Sequence, residues 1–373
     1  MDNRMDVLNS RRTRACISLT AYRRNLLYFS EQGAPSLIAP VIKADGYGHG
    51  AIPLAKVAAD LGCPYLCVGF LEEALQLRYA GVTLPILVFN YFAPETTPLF
   101  IQENLTATVY SGYQLEAIAP YIAGGKLRAH LKVDTGMSRL GVKPEEVERL
   151  IRRVWEIGNI ELEGLYSHFA TADDPDSDFA RRQYEQFAAL RRLYRSSIRY
   201  FHISNSAGAQ YLSVDPFDFI RLGISSYGLD ARNQKRPSEL SPVLSWETIL
   251  SHVKTIREGA SISYGRTFIA DRPMTIGTVA VGYADGYNRL LSNRGSVLVK
   301  GRRCPILGRV CMDQFMIDLS GIPAPEPGEK VTLLGFDGAE EISCEEIAAL
   351  LSTINYEVTC LISKRVPRVY TEV

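Results

Sequence analysis

The chain has 373 residues, in which 41 lysines and arginines balance 41 aspartates and glutamates. That length suits two domains, one of them a large barrel, and the cancelled charge gives no electrostatic basis for a nucleic-acid or membrane partner. No apolar run approaches the ~20 residues of a membrane span, the charged N-terminal stretch lacks the apolar core of a signal peptide, and seven cysteines without metal-type pairing fit reduced thiols in the cytoplasm, with no metal site expected.

From Ala15 to about Pro242, short apolar runs alternate with amphipathic segments. A helix over residues 21–32 precedes a buried strand over 37–42, which ends at Lys43. Leu54, Val57, Ala58 and Leu61 fall at helical spacing, residues 65–69 read as a strand, and a helix starts at Leu71. Further strands are expected at 85–89, 105–109 and 127–133. The clearest helix covers 145–157, where Val147, Leu150, Ile151, Val154 and Trp155 follow the helical repeat. A strand at 160–166, an aspartate-rich loop, a long helix through Phe187, Leu190 and Tyr194, and strands at 201–203 and 217–220 complete the series. Eight successive right-handed β/α units close into a barrel, so the expected fold is α/β, a (β/α)8 TIM-type barrel over 14–242.

After Pro242 the pattern changes. Alternating and β-branched segments at 248–256, 274–281, 295–300 and 330–334 predict strands, the proline- and glycine-rich stretch 322–328 predicts a loop, and Ile347, Leu350, Leu351 and Ile354 predict one helix. This reads as a β-rich second domain over 243–373, joined by residues 1–13.

Ligand chemistry in a β/α barrel gathers at the C-terminal ends of the strands. Val41-Ile42-Lys43-Ala44-Asp45-Gly46-Tyr47-Gly48-His49-Gly50 delivers one lysine from a buried strand into a glycine-rich turn. A lysine so placed can be desolvated enough to spend time as the neutral amine that condenses with a carbonyl. Alone, the string also suits an ordinary strand-to-helix turn. In Ala129-His130-Leu131-Lys132-Val133-Asp134-Thr135-Gly136-Met137-Ser138-Arg139-Leu140-Gly141, strand alternation places His130, Lys132 and Asp134 on one face. If that face is the lumen, its charges need compensation. His168 ends the strand at 160–166, where a satisfied core histidine is the plainer alternative. His202-Ile203-Ser204-Asn205-Ser206-Ala207-Gly208 joins a strand to a small-residue turn that can bind an anion or cap a helix. Arg221 closes the series in Ile220-Arg221-Leu222-Gly223.

Together these strings resemble the alanine racemases. The resemblance runs from about Ala15 to Tyr370 and continues through Ser263-Tyr264-Gly265-Arg266-Thr267, Val281-Gly282-Tyr283-Ala284-Asp285-Gly286-Tyr287, Gly308-Arg309-Val310-Cys311-Met312-Asp313-Gln314 and Ile354-Asn355-Tyr356-Glu357-Val358. It implies interconversion of L-alanine and D-alanine by two-base proton transfer at Cα of the amino acid joined to pyridoxal 5'-phosphate. Lys43 would hold the cofactor and serve the D-alanine face, with Tyr264 on the L-alanine face. Tyr47, Ser206, Tyr356 and the backbone of Gly223 and Ile224 would meet the phosphate, and His168 would orient Arg221 under the pyridine ring. Arginine cannot readily give up a proton, so the ring nitrogen would stay unprotonated and the ring a weaker electron sink.

The resemblance further implies that Arg139 contacts the substrate carboxylate, braced by Lys132, a position often carbamylated in the family. Met312 would offer its backbone N–H to the same carboxylate, Asp313 would position the substrate or its loop, and Tyr283 would line the entrance. Ser138 stands where the family usually has glycine, and Leu222 where it often has proline. A head-to-tail homodimer is implied, with Tyr264 and Met312 completing the partner subunit's site. Barrel-type amino-acid decarboxylases carry an acid where Arg221 stands, and cofactor carriers on the same barrel lack the second domain. Serine as a substrate stays open, as does the choice between peptidoglycan supply and D-alanine breakdown.

Overall fold

The structure, a computed structural model, describes residues 12–174 and 178–372. Most of the segment 1–13, expected to join the second domain, lies outside the described residues. The chain forms two compact units, one made of Tyr22–Gly46 and Gly50–Arg232, the other of Tyr47–His49, Asn233–Val373 and the N-terminal stretch up to Ala21.

The chain order begins with β1 (Arg14–Ser18) and α1 (Leu19–Gln32). The barrel unit then runs β2 (Leu37–Pro40), α2 (Ala51–Asp60), β3 (Leu66–Val68), α3 (Leu71–Tyr79), β4 (Ile86–Val88), α4 (Thr97–Gln102), β5 (Leu105–Val109) and α5 (Gly112–Ile118). It continues through β6 (Leu127–Lys132), α6 (Val147–Ile157), β7 (Ile160–Tyr166), α7 (Asp178–Tyr194), β8 (Tyr200–His202), α8 (Ser206–Tyr211) and β9 (Phe219–Leu222). Strands β3 to β8 pair in order and in parallel, and β2 pairs with β9. The ring closes on one side through a bridge between Val41 and Cys67, and on the other through the Asp218 N–H to Phe201 O (2.9 Å) and the Arg221 N–H to Ser204 O (3.1 Å). The eight-stranded barrel read from the periodicity is therefore present. Covered on both faces, β5 is buried at every position.

Helix α6 turns Val147, Leu150, Ile151 and Val154 inward, but Trp155 is 59% exposed. Eight residues on, a side chain has drifted roughly 80° from the first position of the stripe, far enough for a large ring to lie at its edge. Between β6 and β7 the ladder slips. Ala129 stands opposite Leu162 and His130 opposite Gly164, so Glu163 is an extra, bulged residue.

The second unit is β-rich. Its strands are β10 (Leu244–Ile256), β11 (Ser261–Ile262), β12 (Phe268–Ile269), β13 (Met274–Val279), β14 (Ser296–Val299), β15 (Arg302–Leu307), β16 (Phe315–Asp318), β17 (Lys330–Asp337) and β18 (Glu340–Ile342). Helices α9 (Cys344–Leu351) and α10 (Asn355–Cys360) precede β19 (Arg368–Thr371). The long strand β10 pairs with β17 along its first half and β13 along its second, closing β17, β14, β15, β16, β13 and β10 into a ring. β1 lies antiparallel to β10 and parallel to β19, so Ala15 to Ser18 belong to this sheet. The single helix expected through Ile354 is two helices. Ser352 takes a left-handed conformation (φ 57°) that ends α9, and Ile354 becomes the extended residue before α10. Among the described residues, no helix is long and apolar enough to cross a membrane.

Gly164 gives room for the His130 ring, because a Cβ there would lie 2.7 Å from His130 Cγ, whereas a Cβ at Gly112 meets nothing within 4 Å. Gly164→Ala is expected to cost roughly 1–3 kcal/mol in urea unfolding, with Gly112→Ala neutral or slightly stabilising. Equal midpoints for the two variants would contradict the packing.

Candidate active site

Lys43 leaves β2 into a backbone turn that runs left-handed through Ala44 (φ 52°), Asp45 (φ 51°), Gly46 (φ 61°) and Tyr47 (φ 54°). Each non-glycine residue in that region costs roughly 1–2 kcal/mol, so the turn needs external ties. The Gly46 N–H reaches Ile42 O at 2.8 Å, and Asp45 Oδ1 accepts the Ala51 N–H at 2.8 Å. Glu73, from α3, accepts the Ala44 N–H at 2.6 Å through one oxygen and the Gly69 N–H at 2.7 Å through the other. One carboxylate thereby holds both the Lys43 turn and the end of β3. Sequence reading missed Glu73, whose position in an ordinary helical first turn carries no signal of this role.

Arg221 projects from β9 and is buried. Its guanidinium donates to His202 Nδ1 (2.7 Å), Ser167 O (2.7 Å), Ile203 O (3.0 Å) and His168 Nδ1 (3.2 Å), and lies 5.2 Å from the centre of the Tyr166 ring. None of these acceptors is a carboxylate. Burial lowers the arginine to about 10, which leaves it cationic at neutral pH. Burial and the facing Arg221 charge hold His168 and His202 well below the ordinary histidine range, so both stay neutral and can accept from the guanidinium. His202 stacks on Tyr166 at 4.9 Å.

Lys132 is buried two residues beyond His130 on the same strand face. Its Nζ donates to Val133 O at 2.8 Å, and burial, followed by the Arg221 charge, lowers it to about 7. Asp134, expected on that same face, instead turns to cap the following loop, with Oδ1 accepting the Gly136 and Ser138 N–H groups at 3.0 Å each. Arg139 rides on that loop, close enough for its charge to act on Lys132 and His168. Ser138 sits at φ 55°, where glycine is favoured.

The small-residue turn after β8 divides its work between two side chains. Asn205 is the helix cap, its Oδ1 accepting the Gly208 N–H at 2.8 Å, while Ser206 Oγ accepts the N–H groups of Gly223 (2.9 Å) and Ser225 (3.3 Å). Lys43, Lys132, Arg139, His168, Ser206, Arg221, Gly223 and Ile224 thus all belong to the C-terminal strand ends of the barrel unit or the loops that follow them.

In the other unit, Tyr47 packs beside Tyr356, with ring centres 6.0 Å apart. Gly48 permits this seating, since a Cβ there would fall 2.3 Å from Thr359 O. Tyr264 lies in a tight turn behind Ser263 (φ 65°), whose hydroxyl donates to Arg309 O at 2.6 Å, and the tyrosine is 72% exposed. The loop bearing Met312 and Asp313 is clamped by the Tyr283 and Ala284 N–H groups on Cys311 O and Met312 O. Arg365 bridges Asp313 Oδ1 (2.8 Å) and the fully buried Asp285 (3.4 Å). Neither Arg365 nor Asp285 had been given a role from sequence. Among the described residues, no group of three or more His, Cys, Asp or Glu side chains could hold a metal ion.

The buried bases predict a one-sided pH response. His130 is lowered from 6.5 to about 3, so between those values the unfolded chain binds a proton that the folded chain refuses, and stability falls as pH falls through that window. Lys132 acts with the same sign between 10.5 and about 7. Urea midpoints should therefore decline from about pH 9 to acid pH, since above 9 the buried thiols of Cys63, Cys67 and Cys304, all raised by burial, act with the opposite sign, and Lys132→Met should flatten the alkaline part of that decline alone. An unchanged alkaline slope in that variant would contradict the buried-amine assignment.

Residues 17–231 match the family model for the alanine racemase N-terminal domain, and residues 243–370 the model for the C-terminal domain. Alanine racemase from Desulfovibrio desulfuricans is 41% identical over 363 residues, 95% of this chain and 97% of that protein. Alanine racemase 1 of Bacillus subtilis is 42% identical over 367 residues, 97% of this chain and 94% of that protein. Among solved structures, alanine racemase from E. faecalis superposes with a TM-score of 0.92 at 40% identity, covering 97% of this chain and 98% of that one. The Bacillus anthracis enzyme with bound L-Ala-P superposes at 0.90 with 35% identity, covering 97% and 95%. The chain belongs to the alanine racemase family, and is a racemase of the isomerase class.

Proposed function

We propose that this racemase interconverts L-alanine and D-alanine with pyridoxal 5'-phosphate, and that Lys43 and Tyr264 handle the Cα proton on opposite faces. The observation that carries the reading is Arg221, a buried cation whose hydrogen-bond acceptors are all neutral. The residues fit the cofactor. β2 and β9 are neighbours with Ala39 opposite Arg221, so the lysine and the arginine leave adjacent strands, and Ser206 meets the Gly223 turn one residue beyond β9. When bound, the cofactor would withdraw electrons from Cα and make its proton acidic.

In this reading the chain's own groups do the rest. Lys43 would hold the cofactor through its amine and would remove or return the proton on the D-alanine face, with Tyr264 doing so on the L-alanine face. Arg221, oriented in part by His168, would hold the ring nitrogen without surrendering a proton and so would limit how much charge the ring accepts. Ser206, Gly223, Ile224, Tyr47 and Tyr356 would hold the phosphate, and Arg139, Met312 and Asp313 would serve the substrate. The lowered amine of Lys132 supports carbamylation. Its nitrogen lone pair forms a bond to the carbon of carbon dioxide, a proton leaves, and the resulting anion balances Arg139.

Exposure of Tyr264, Met312 and Tyr283 at 72%, 52% and 42% supports a homodimer in which these residues face the partner's barrel. Seven cysteines without metal-type spacing support a reducing, cytoplasmic location.

Tyr264→Phe is expected to slow racemisation by roughly 10²–10⁴-fold, the usual worth of a positioned acid–base group, while retaining the cofactor. Mixing it with an inactive Lys43→Ala chain should restore activity at one site of each hybrid dimer. Absence of recovery, with subunit exchange demonstrated, would remove the shared-site reading. ¹³C-labelled bicarbonate should give a carbamate signal that Lys132→Ala abolishes, and no such signal in the parent protein would exclude the modification.

A further inference from the structure

Behind Arg221 lies a polar chain that the proposed chemistry leaves unused. His202 Nδ1 faces the guanidinium at 2.7 Å, His202 Nε2 lies 2.9 Å from His130 Nδ1, and the buried His130 Nε2, which makes no hydrogen bond among the described residues, lies 3.8 Å from Glu163 Oε1. Glu163 is further held by the Tyr65 hydroxyl and by Thr106 Oγ1 at 3.2 Å. Both imidazoles are completely buried, and the glutamate side chain is 11% exposed.

Donor and acceptor bookkeeping leaves one arrangement. A guanidinium only donates, so His202 Nδ1 must be bare and its proton must sit on Nε2. That proton is donated to His130 Nδ1, which puts the second imidazole's proton on Nε2, facing the carboxylate. An imidazolium at either position would set two donors against each other. The far end is also anchored by a break in the sheet. Tyr166 and Thr108 share a hydrogen bond inside the barrel, and strict alternation back along β7 from Tyr166 would point Glu163 outward. The bulge between Leu162 and Gly164 reverses that parity and turns the carboxylate toward His130. Gly164, opposite His130, keeps the ring's path open.

We propose that His202, His130 and Glu163 are positioning residues for racemisation, forming a one-way donor chain that fixes the plane of the Arg221 guanidinium from deep inside the barrel. The proposal rests on the reading of Arg221 as the group facing the cofactor ring. Glu163 supplies a negative charge two imidazoles away, attracting the chain's last N–H without placing a carboxylate beside the arginine. A carboxylate in direct contact would draw the guanidinium toward itself and weaken its donation elsewhere.

The test uses the holoenzyme with ¹⁵N-labelled histidine, of which the chain has only 5. His202 and His130, assigned by single substitutions, should both appear as neutral rings protonated on Nε2. A proton on Nδ1 of either ring, or an imidazolium, would overturn the proposal whatever the activity. Glu163→Leu should then lower kcat by up to roughly 100-fold through misplacement of Arg221, with KM little changed, and raise the pyruvate formed per racemisation event. Glu163→Gln, which keeps an acceptor, should recover most of the loss. Parent-like kcat and pyruvate yield in a cofactor-loaded Glu163→Leu enzyme would also overturn it. Failure of the underlying site reading looks different, since the parent protein would then not racemise alanine at all.

Discussion

A cation buried without an anion beside it is the constraint around which the barrel's interior is built. Bringing an ionised group out of water is costly unless hydrogen bonds replace its hydration. Arg221 meets that requirement with two backbone carbonyls, two imidazole nitrogens and a tyrosine face. The charge then governs its neighbours. It helps to hold His168, His202 and His130 neutral, and it adds to burial in pushing Lys132 down to about 7. Burial and this one charge together set the protonation states of a whole cluster.

The functional loops of each unit share a design. Each is tied by a polar side chain acting on backbone N–H groups or bridging to the loop from beneath. Glu73 secures the left-handed Lys43 turn, Asp134 the loop of Arg139, Asn205 the turn of Ser206, and Asp285 with Arg365 the loop of Met312 and Asp313. Groups that must act to within fractions of an ångström sit on short segments whose backbone is over-determined. The conformational strain at Ala44, Asp45, Ser138 and Ser263 is tolerable for the same reason.

Much of the fold was legible because strand and helix periodicities report burial directly. β5 and β7 fall where the apolar runs predicted, and the alternating segments beyond Pro242 lie in the β-rich unit. β1 and β19 were not read, because a short strand is recognisable only beside its neighbours, and theirs lie far away in sequence. Trp155 and Ile354 were misjudged for local reasons, namely drift around the helix and a left-handed residue that splits it. The position of the candidate site was legible where a motif sets a polar residue at or just beyond a strand end, as at Lys43 and Arg221. It was not legible where a role depends on a distant partner. Nothing adjacent to Glu163 announces that it faces His130, and only the register slip between β6 and β7 makes it do so.

The central claim is that a buried arginine with neutral acceptors directs a cofactor-bound amino acid toward return of the Cα proton, away from other fates. The direct measurement is to incubate the purified protein with L-alanine in deuterium oxide, following the visible cofactor absorption and the chirality and isotope content of the product. D-alanine carrying deuterium at Cα, formed alongside the cofactor band, is the predicted result. Release of carbon dioxide and an amine, accumulation of pyruvate as the main product, or a cofactor band without turnover would contradict it.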